Sequence, residues 1–249
     1  VNAESGPPAR DSSGERTAER AGDRPGERAD GSSGTSAGDT EGGAAEVLAA
    51  PVAGGGRASA GLLLAAGSGS RLGTPKALVE FHGERLVDRG VRALREGGCR
   101  PVVVVLGAAA VGVRGAVTVH NPEWDSGMAS SLRAGLDALP ATAEHVVIAL
   151  VDQPFVGPRA VRRLIGAAAK GASVAVATYG GARRNPVLIA REHFEEVARL
   201  ATGDAGARPF LRAHPELVVA VPCDDVADPA DIDTPADLSA LRARSDLAT

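Results

Sequence analysis

Apolar positions between residues 59 and 244 fall into two alternating patterns. Runs of consecutive apolar residues, Leu62–Ala66, Val102–Leu106, Val146–Val151 and Val174–Ala177, are bounded by glycine, proline or polar residues. Such runs predict strands buried on both faces, because neither face keeps polar positions for solvent. Between them the period turns helical. Leu86, Val87, Val91 and Leu94 share one face of a helix expected from about Glu84 to Gly97. Leu132, Leu136 and Leu139 do the same from Gly127 to Leu139, with Ser126 as cap. Pro158 opens a helix to Ala169, and Pro235 opens the last one, to Arg244; proline suits a first helical position. Shorter strands are expected at Ala116–Val119, Pro186–Ile189 and Val218–Val221, and shorter helices at 191–200 and 207–213. Strands alternating with helices predict an α/β domain with one doubly wound, mostly parallel sheet.

The first 58 residues are a different material, made chiefly of Gly, Ala, Ser, Glu, Asp, Arg and Pro, with no aromatic residue, Ile, Met or Lys. Such a segment buries too little apolar surface to offset its ordering entropy, so residues 1–58 are expected to be a disordered tail. The folded domain is expected over 59–244, with a short tail at 245–249. Val47-Leu48-Ala49-Ala50 is too short for a signal-peptide core, and no run approaches membrane-spanning length. A cytoplasmic protein is expected, without a membrane partner. The net charge of −4 and the lack of a basic stripe argue against a nucleic-acid partner. Cys99 and Cys223 share no metal-type spacing and are expected as free thiols.

The chemistry is concentrated in Gly61–Lys76, GLLLAAGSGSRLGTPK. A buried strand leads into a turn where Gly67, Gly69 and Gly73 free the backbone, and Arg71 and Lys76 set two cations beside it. Backbone donors with two cations suit a triphosphate, whose oxygens only accept hydrogen bonds and whose charge needs neutralising. The glycine spacing, G-x-G-x-x-x-G, is one residue longer than the dinucleotide fingerprint, and no Gly-Lys-Ser/Thr triplet of a Walker loop occurs. An NAD-binding domain is further disfavoured by the lack of an acidic residue closing the second strand. Asp152 directly follows a buried strand, at the sheet edge where ligands bind in parallel α/β folds. A carboxylate beside a triphosphate implies a divalent cation between them. From Pro222 to Leu238 the chain holds six aspartates and no Lys or Arg. An extended Asp231-Ile232-Asp233 puts both carboxylates on one side and Ile232 inward, while Asp224, Asp225 and Asp228 read as a solvated loop.

LAAGSGSRLGTPK resembles the signature of the MobA-like nucleotidyltransferases, L-A-[AG]-G-x-[GS]-x-R-x-G-x-x-K, and within them most resembles the molybdenum cofactor cytidylyltransferases. The resemblance spans about residues 59–244 and implies a Rossmann-like nucleotidyltransferase fold. It implies a Mg²⁺-dependent enzyme that moves a nucleotidyl group, CMP from CTP by the LAAG form of the motif, to a phosphorylated acceptor such as molybdopterin. Arg71 and Lys76 would act on the phosphates. Leu64, Ala65, Ala66, Gly67, Gly69, Gly127 and Ser131 would hold the nucleotide, and Arg208, in Gly203–Arg208, would hold the acceptor's phosphate. Asp152 (in VDQP) and Asp233 (in DIDTPADL), with Asp231, would hold the metal. Asn185 stands where the cytidylyltransferases have histidine. The alternatives are a sugar- or polyol-phosphate nucleotidyltransferase, or a non-catalytic nucleotide-binding module serving a molybdoenzyme. The only Trp and Met, Trp124 and Met128, are expected as packing residues, with the mouth of the pocket as the alternative place for Trp124.

Overall fold

The computed structural model describes residues 58–246. The tail expected over residues 1–58 therefore lies, but for Ala58, outside the described residues, as do residues 247–249. In chain order the elements are β1 (Ser59–Ala65), β2 (Glu80–Phe81), β3 (Glu84–Arg85), α1 (Leu86–Glu96), β4 (Val102–Leu106), β5 (Val117–His120), α2 (Met128–Asp137), β6 (His145–Leu150) and α3 (Pro158–Ala169). They continue with β7 (Val174–Tyr179), β8 (Ala182–Ala190), α4 (Phe194–Leu200), α5 (Arg208–Ala213), β9 (Val218–Pro222) and α6 (Pro235–Asp246). Several boundaries differ from expectation, among them that of β8, which begins at Ala182, four residues before the expected Pro186. The first helix starts at Leu86, because Glu84 and Arg85 pair back onto Phe81 and Glu80 in a small antiparallel hairpin. The last helix runs on to Asp246, two residues past its expected end.

Seven strands form one sheet in the order β5-β4-β1-β6-β8-β7-β9. All neighbours run parallel except at β8, which is antiparallel to both β6 and β7. Its reversal follows from the two-residue Gly180-Gly181 turn, since Tyr179 and Ala182 pair directly across it.

The absence of alternation in the strand sequences is explained by two cores. Leu63, Ala65, Val104, Val147 and Ala149 face one core, packed by α1, α3 and Leu241 of α6. Leu62, Leu64, Val103, Val105 and Ile148 face the other, packed by α2, α4 and α5. Alternate side chains of each strand thus enter opposite apolar layers.

The chain winds outward from β1 to β4 and β5 on one side and to β6 on the other. The order therefore reverses between β1 and β6, and the crevice beyond their carboxyl ends is where such a sheet accepts ligands.

Candidate functional site

The loop after β1 folds back on itself before delivering Lys76. Gly69 has φ +59°, and a Cβ there would lie 2.0 Å from the Thr74 carbonyl oxygen, so only glycine fits. The Gly69 carbonyl accepts from the N–H groups of Leu72 and Gly73 at 2.8 and 2.9 Å, and the Gly67 carbonyl accepts from Lys76 N–H at 3.3 Å. These three N–H groups are used inside the turn. Part of the donor array expected for a ligand is therefore spent on shaping the loop. The reward is position: Lys76 opens a one-turn 3₁₀ helix, Lys76–Leu78, beside the crevice.

Asp152 follows β6 by one turn residue, and Asp233 reaches it through the backbone. Ile232 N–H donates to the Asp152 carbonyl at 2.9 Å, with the Ile232 side chain fully buried beneath. Thr234 and Asp237 then form a capping box at the start of α6. The Asp237 carboxylate accepts from Thr234 N–H and its hydroxyl, both at 2.8 Å, while Thr234 Oγ1 accepts from Asp237 N–H at 3.2 Å. The bonds from Thr234 hold the Asp237 carboxyl below the usual carboxylate range. Asp237 also accepts from Asp233 N–H at 3.2 Å, which fixes the Asp233 backbone. The box is legible in the sequence as T-x-x-D, but its hold on Asp233 depends on the fold.

The three charged groups converge. Lys76 Nζ donates to Asp152 Oδ2 at 2.5 Å and to Asp233 Oδ1 at 2.6 Å. Arg71 adds an ion pair to Asp233 Oδ2 at 3.2 Å from a largely exposed side chain. Burial works against the Lys76 charge, but Asp152 and Asp233 together outweigh it, and its pKa rises above the ordinary lysine value. The Lys76 hydrogen bond, with smaller help from Arg71, holds Asp233 below the usual carboxylate range. Asp152 Oδ1 is buried and has no hydrogen-bond partner among the described residues.

Asp231 is not part of this cluster. Its Oδ1 accepts from Gln153 Nε2 at 2.8 Å. Partial desolvation raises its pKa despite that bond, and the Asp152 and Asp233 charges push the same way. The remaining aspartates are more ordered than the solvated loop expected of them. Asp225 takes a two-pronged bond from Arg163 at 2.6 and 2.7 Å, Asp224 accepts from Gly180 N–H, and Asp228 pairs with Arg244 and caps Ala230 N–H. They anchor the segment that presents Asp233.

A cleft opens beside the cluster, over the β1 and β6 ends. Leu64, Ala66, Gly67 and Ser131 line it, as do Lys76 and Asp152. Ala65 does not; its side chain belongs to the core on the α1 side. Ser131 Oγ accepts from Asn121 Nδ2 at 3.0 Å, and Asn121 Oδ1 in turn accepts from Glu123 N–H at 3.0 Å, so the hydroxyl is positioned by a buried amide. Trp124, Met128 and Asp204 also line the cleft. The first two are therefore wall residues as well as packing residues. The Trp124 β-carbon lies over Gly107, where an added Cβ would come within 2.3 Å of it. Asp204, from the Gly203–Arg208 stretch expected on the acceptor side, reaches the cleft by long-range folding, accepting from Met128 N–H at 3.2 Å. Gly127, expected to let backbone approach the nucleotide, instead approaches Gly203: with φ +114°, a Cβ would lie 2.6 Å from the Gly203 carbonyl carbon.

Arg208 sits elsewhere. It lines a second cavity of about 490 Å³ together with Arg183, Arg184, Asn185, Arg212 and Asp231. That volume is in the range of small-molecule sites. Leu150, at the end of β6, borders both the cleft and this cavity.

The metal expectation can be tested on donor chemistry. Two hard carboxylates within reach of one ammonium, one with an unpartnered buried oxygen, fit a divalent cation that prefers oxygen ligands. No group of three or more His, Cys, Asp or Glu arranged to hold a metal ion occurs among the described residues, so these residues supply only part of a coordination shell. No helix among them is long and apolar enough to cross a membrane.

The chain is similar in sequence and in fold to known proteins. Nicotine blue oxidoreductase of Paenarthrobacter nicotinovorans is 40% identical over 188 residues, spanning 70% of this chain and 91% of that protein. Molybdenum cofactor guanylyltransferase of Rhodobacter capsulatus is 32% identical over 197 residues, spanning 72% and 93%. The crystal structure of Rv0371c from Mycobacterium tuberculosis H37Rv in complex with manganese has a TM-score of 0.62 at 27% identity, covering 75% of this chain and 98% of that one. The MobA-like NTP transferase domain matches residues 61–218, a stretch holding the β1 loop, Lys76 and Asp152. The chain belongs to the MobA-like NTP transferase family.

Proposed function

We propose that this protein is a divalent-metal-dependent nucleotidyltransferase that moves a nucleotidyl group from a nucleoside triphosphate to a phosphorylated acceptor. The observation that carries the reading is Lys76 held between Asp152 and Asp233 at the mouth of the cleft. An acceptor phosphate oxygen attacks the α-phosphorus, the bond to the bridging oxygen of the β-phosphate breaks, and pyrophosphate leaves with that oxygen. Such a transfer needs alignment and charge neutralisation rather than a side-chain nucleophile. Lys76 and Arg71 bind the β- and γ-phosphates and stabilise the charge that develops on pyrophosphate. Ser131 and the walls at Ala66 and Trp124 orient the nucleoside. Arg208 holds the acceptor's phosphate, for which a planar guanidinium fork is better suited than an ammonium. Asp152 and Asp233 would hold a divalent cation that neutralises the triphosphate, with Asp231, bonded to Gln153, outside that pair; the manganese complex of the related fold supports such a cation here.

For the donor we propose CTP, and for the acceptor molybdopterin. Ala66 supports CTP: it replaces the first glycine of the L-A-G-G form associated with GTP, and its methyl stands close to Gly107 at the cleft wall. The relative named a molybdenum cofactor guanylyltransferase supports the acceptor and favours GTP as the competing donor. The deciding experiment compares pyrophosphate release from CTP, GTP, ATP and UTP with molybdopterin and Mg²⁺ or Mn²⁺. CTP is expected first, by as little as tenfold, since methyl-scale discrimination is worth about 1–3 kcal/mol. Ala66→Gly should then shift preference toward GTP. A wild-type preference for GTP would overturn the cytidylyl assignment and leave the transferase intact.

A second reading is favoured by the relative named nicotine blue oxidoreductase, whose 40% identity extends over most of both chains. On that reading the cleft and the neighbouring cavity serve an oxidoreduction of a dye such as nicotine blue. Reduction of nicotine blue by the protein with a supplied reductant, without pyrophosphate release from any triphosphate, would replace the transferase reading.

A further inference from the structure

We infer that Lys76 is the resident counter-ion of the metal-binding carboxylates, and that it makes divalent-cation binding conditional on the nucleotide. The inference rests on the transferase reading of the site and concerns how its two ligands depend on one another.

The ammonium of Lys76 occupies the place a cation would take, 2.5 Å from Asp152 Oδ2 and 2.6 Å from Asp233 Oδ1. Its side chain is only 17% exposed, so solvent screens these bonds poorly. Without a cation between them the two carboxylates would repel, and Lys76 removes that repulsion in the free protein. A divalent cation binding to the same oxygens must displace the ammonium and then stands beside a like charge. Among the described residues Arg71 also pairs with Asp233, but from an exposed position and through the other oxygen, Oδ2. Asp152 Oδ1, buried and unpartnered, is the ligand oxygen left over while Lys76 holds Oδ2.

A triphosphate changes the balance because it offers Lys76 new anionic oxygens. Once the ammonium turns to the β- and γ-phosphates, both carboxylates are released to the metal. Metal and nucleotide then bind with positive coupling, and by linkage each raises the other's affinity by the same factor. Lys76 acts as the two-position element: on the carboxylates in the free protein, on the phosphates in the complex. Metal alone is resisted, so the two phosphate-handling devices assemble together.

The test measures Mn²⁺ binding by electron paramagnetic resonance of the free aqua ion, with no turnover involved. The wild type, Lys76→Met and Arg71→Ala are compared without nucleotide, then with the α,β-methylene analogues of CTP and GTP. Lys76→Met should bind Mn²⁺ at least tenfold more tightly than the wild type without nucleotide, while Arg71→Ala changes it much less. The analogue should enhance Mn²⁺ affinity more in the wild type than in Lys76→Met. Equal or weaker Mn²⁺ binding by a folded Lys76→Met overturns the proposal. Should circular dichroism show that variant to be unfolded, the wild type decides alone. Mn²⁺ binding to it that gains nothing from the analogue, beyond the analogue's own affinity for Mn²⁺, overturns the proposal as well. Pyrophosphate assays separate this from the functional reading. Turnover with no Lys76 effect on Mn²⁺ removes the counter-ion role alone, and the Lys76 effect without turnover removes the transferase reading alone.

Discussion

The backbone N–H of Ile232 donates to the carbonyl of Asp152 at 2.9 Å, and this bond sets the geometry of the candidate site. It ties the end of β6 to the segment before α6, and so brings Asp233 within reach of the lysine that already touches Asp152. Ile232 is the buried peg of the joint, with Asp231 and Asp233 on either side of it meeting different partners. Charge is thus placed by an apolar anchor and a main-chain bond.

Replacing Lys76 with Ala should lower turnover by the scale of one preorganised electrostatic donor, about 2–4 kcal/mol or roughly 30- to 10³-fold. Lys76→Arg should also be impaired, since a planar fork cannot set one nitrogen between two carboxylates as closely as a compact ammonium does. Pyrophosphate release under saturating nucleotide is the measurement. Wild-type rates in Lys76→Ala would remove this residue from the mechanism.

Ile232→Ala should reduce unfolding free energy by about 2–5 kcal/mol, the usual range for emptying a buried aliphatic site, and Ile232→Val by about 0.5–1.5 kcal/mol. Because the peg holds Asp233, the alanine variant should lose more in turnover than in nucleotide affinity. Urea titrations and steady-state kinetics read the two effects separately. A stable, fully active Ile232→Ala would show that the main-chain bond suffices alone.

Trp124 is the only tryptophan in the chain and forms part of the cleft wall, so its fluorescence reports on that cleft without interference. Saturating nucleoside triphosphate should change the emission intensity or wavelength. Gly107→Ala should displace the indole, at an overpacking cost of about 1–3 kcal/mol, and weaken nucleotide binding. Emission that ignores saturating nucleotide would argue that the base lies against another surface.

Burial pushes the Cys99 thiol up to about 12, with Arg100 opposing weakly, and burial pushes Cys223 in the same direction against Arg163. Both thiols should therefore resist disulfide-exchange reagents at neutral pH in the native protein and react quickly in urea. The sign for stability follows from proton counts. The folded state keeps the Cys99 proton above the unfolded value of about 8.5, so stability is intact below that pH. It falls as pH rises from there toward about 12. Equal reactivity of native and unfolded protein would contradict the burial of both thiols.

The pattern of apolar runs dictates the layered α/β architecture, because an unbroken apolar run of strand length is satisfied by a strand covered on both faces. Strand and helix positions were therefore readable from period alone at β1, β4, β6, α1 and α2. The same holds for the loop that carries Lys76, where glycine spacing and two cations leave few uses for the turn. Tertiary structure alone decided which groups meet. The reversal of β8 depends on the Gly180-Gly181 turn and the strand that receives it, and an apolar run looks alike in either direction. Asp231 and Asp233 have the same local setting, yet one pairs with Gln153 and the other with Lys76, because the Ile232–Asp152 bond fixes their depth at the sheet edge. Gly127 marked a close approach, but only the fold revealed Gly203 as what approaches it. Trp124 and Asp204 carried no periodic signal as cleft residues; they reach the wall through contacts with residues far along the chain. Period and local turn chemistry record burial and backbone shape within a few residues. The identity of a charged partner is set by packing between elements that the chain brings together from a distance.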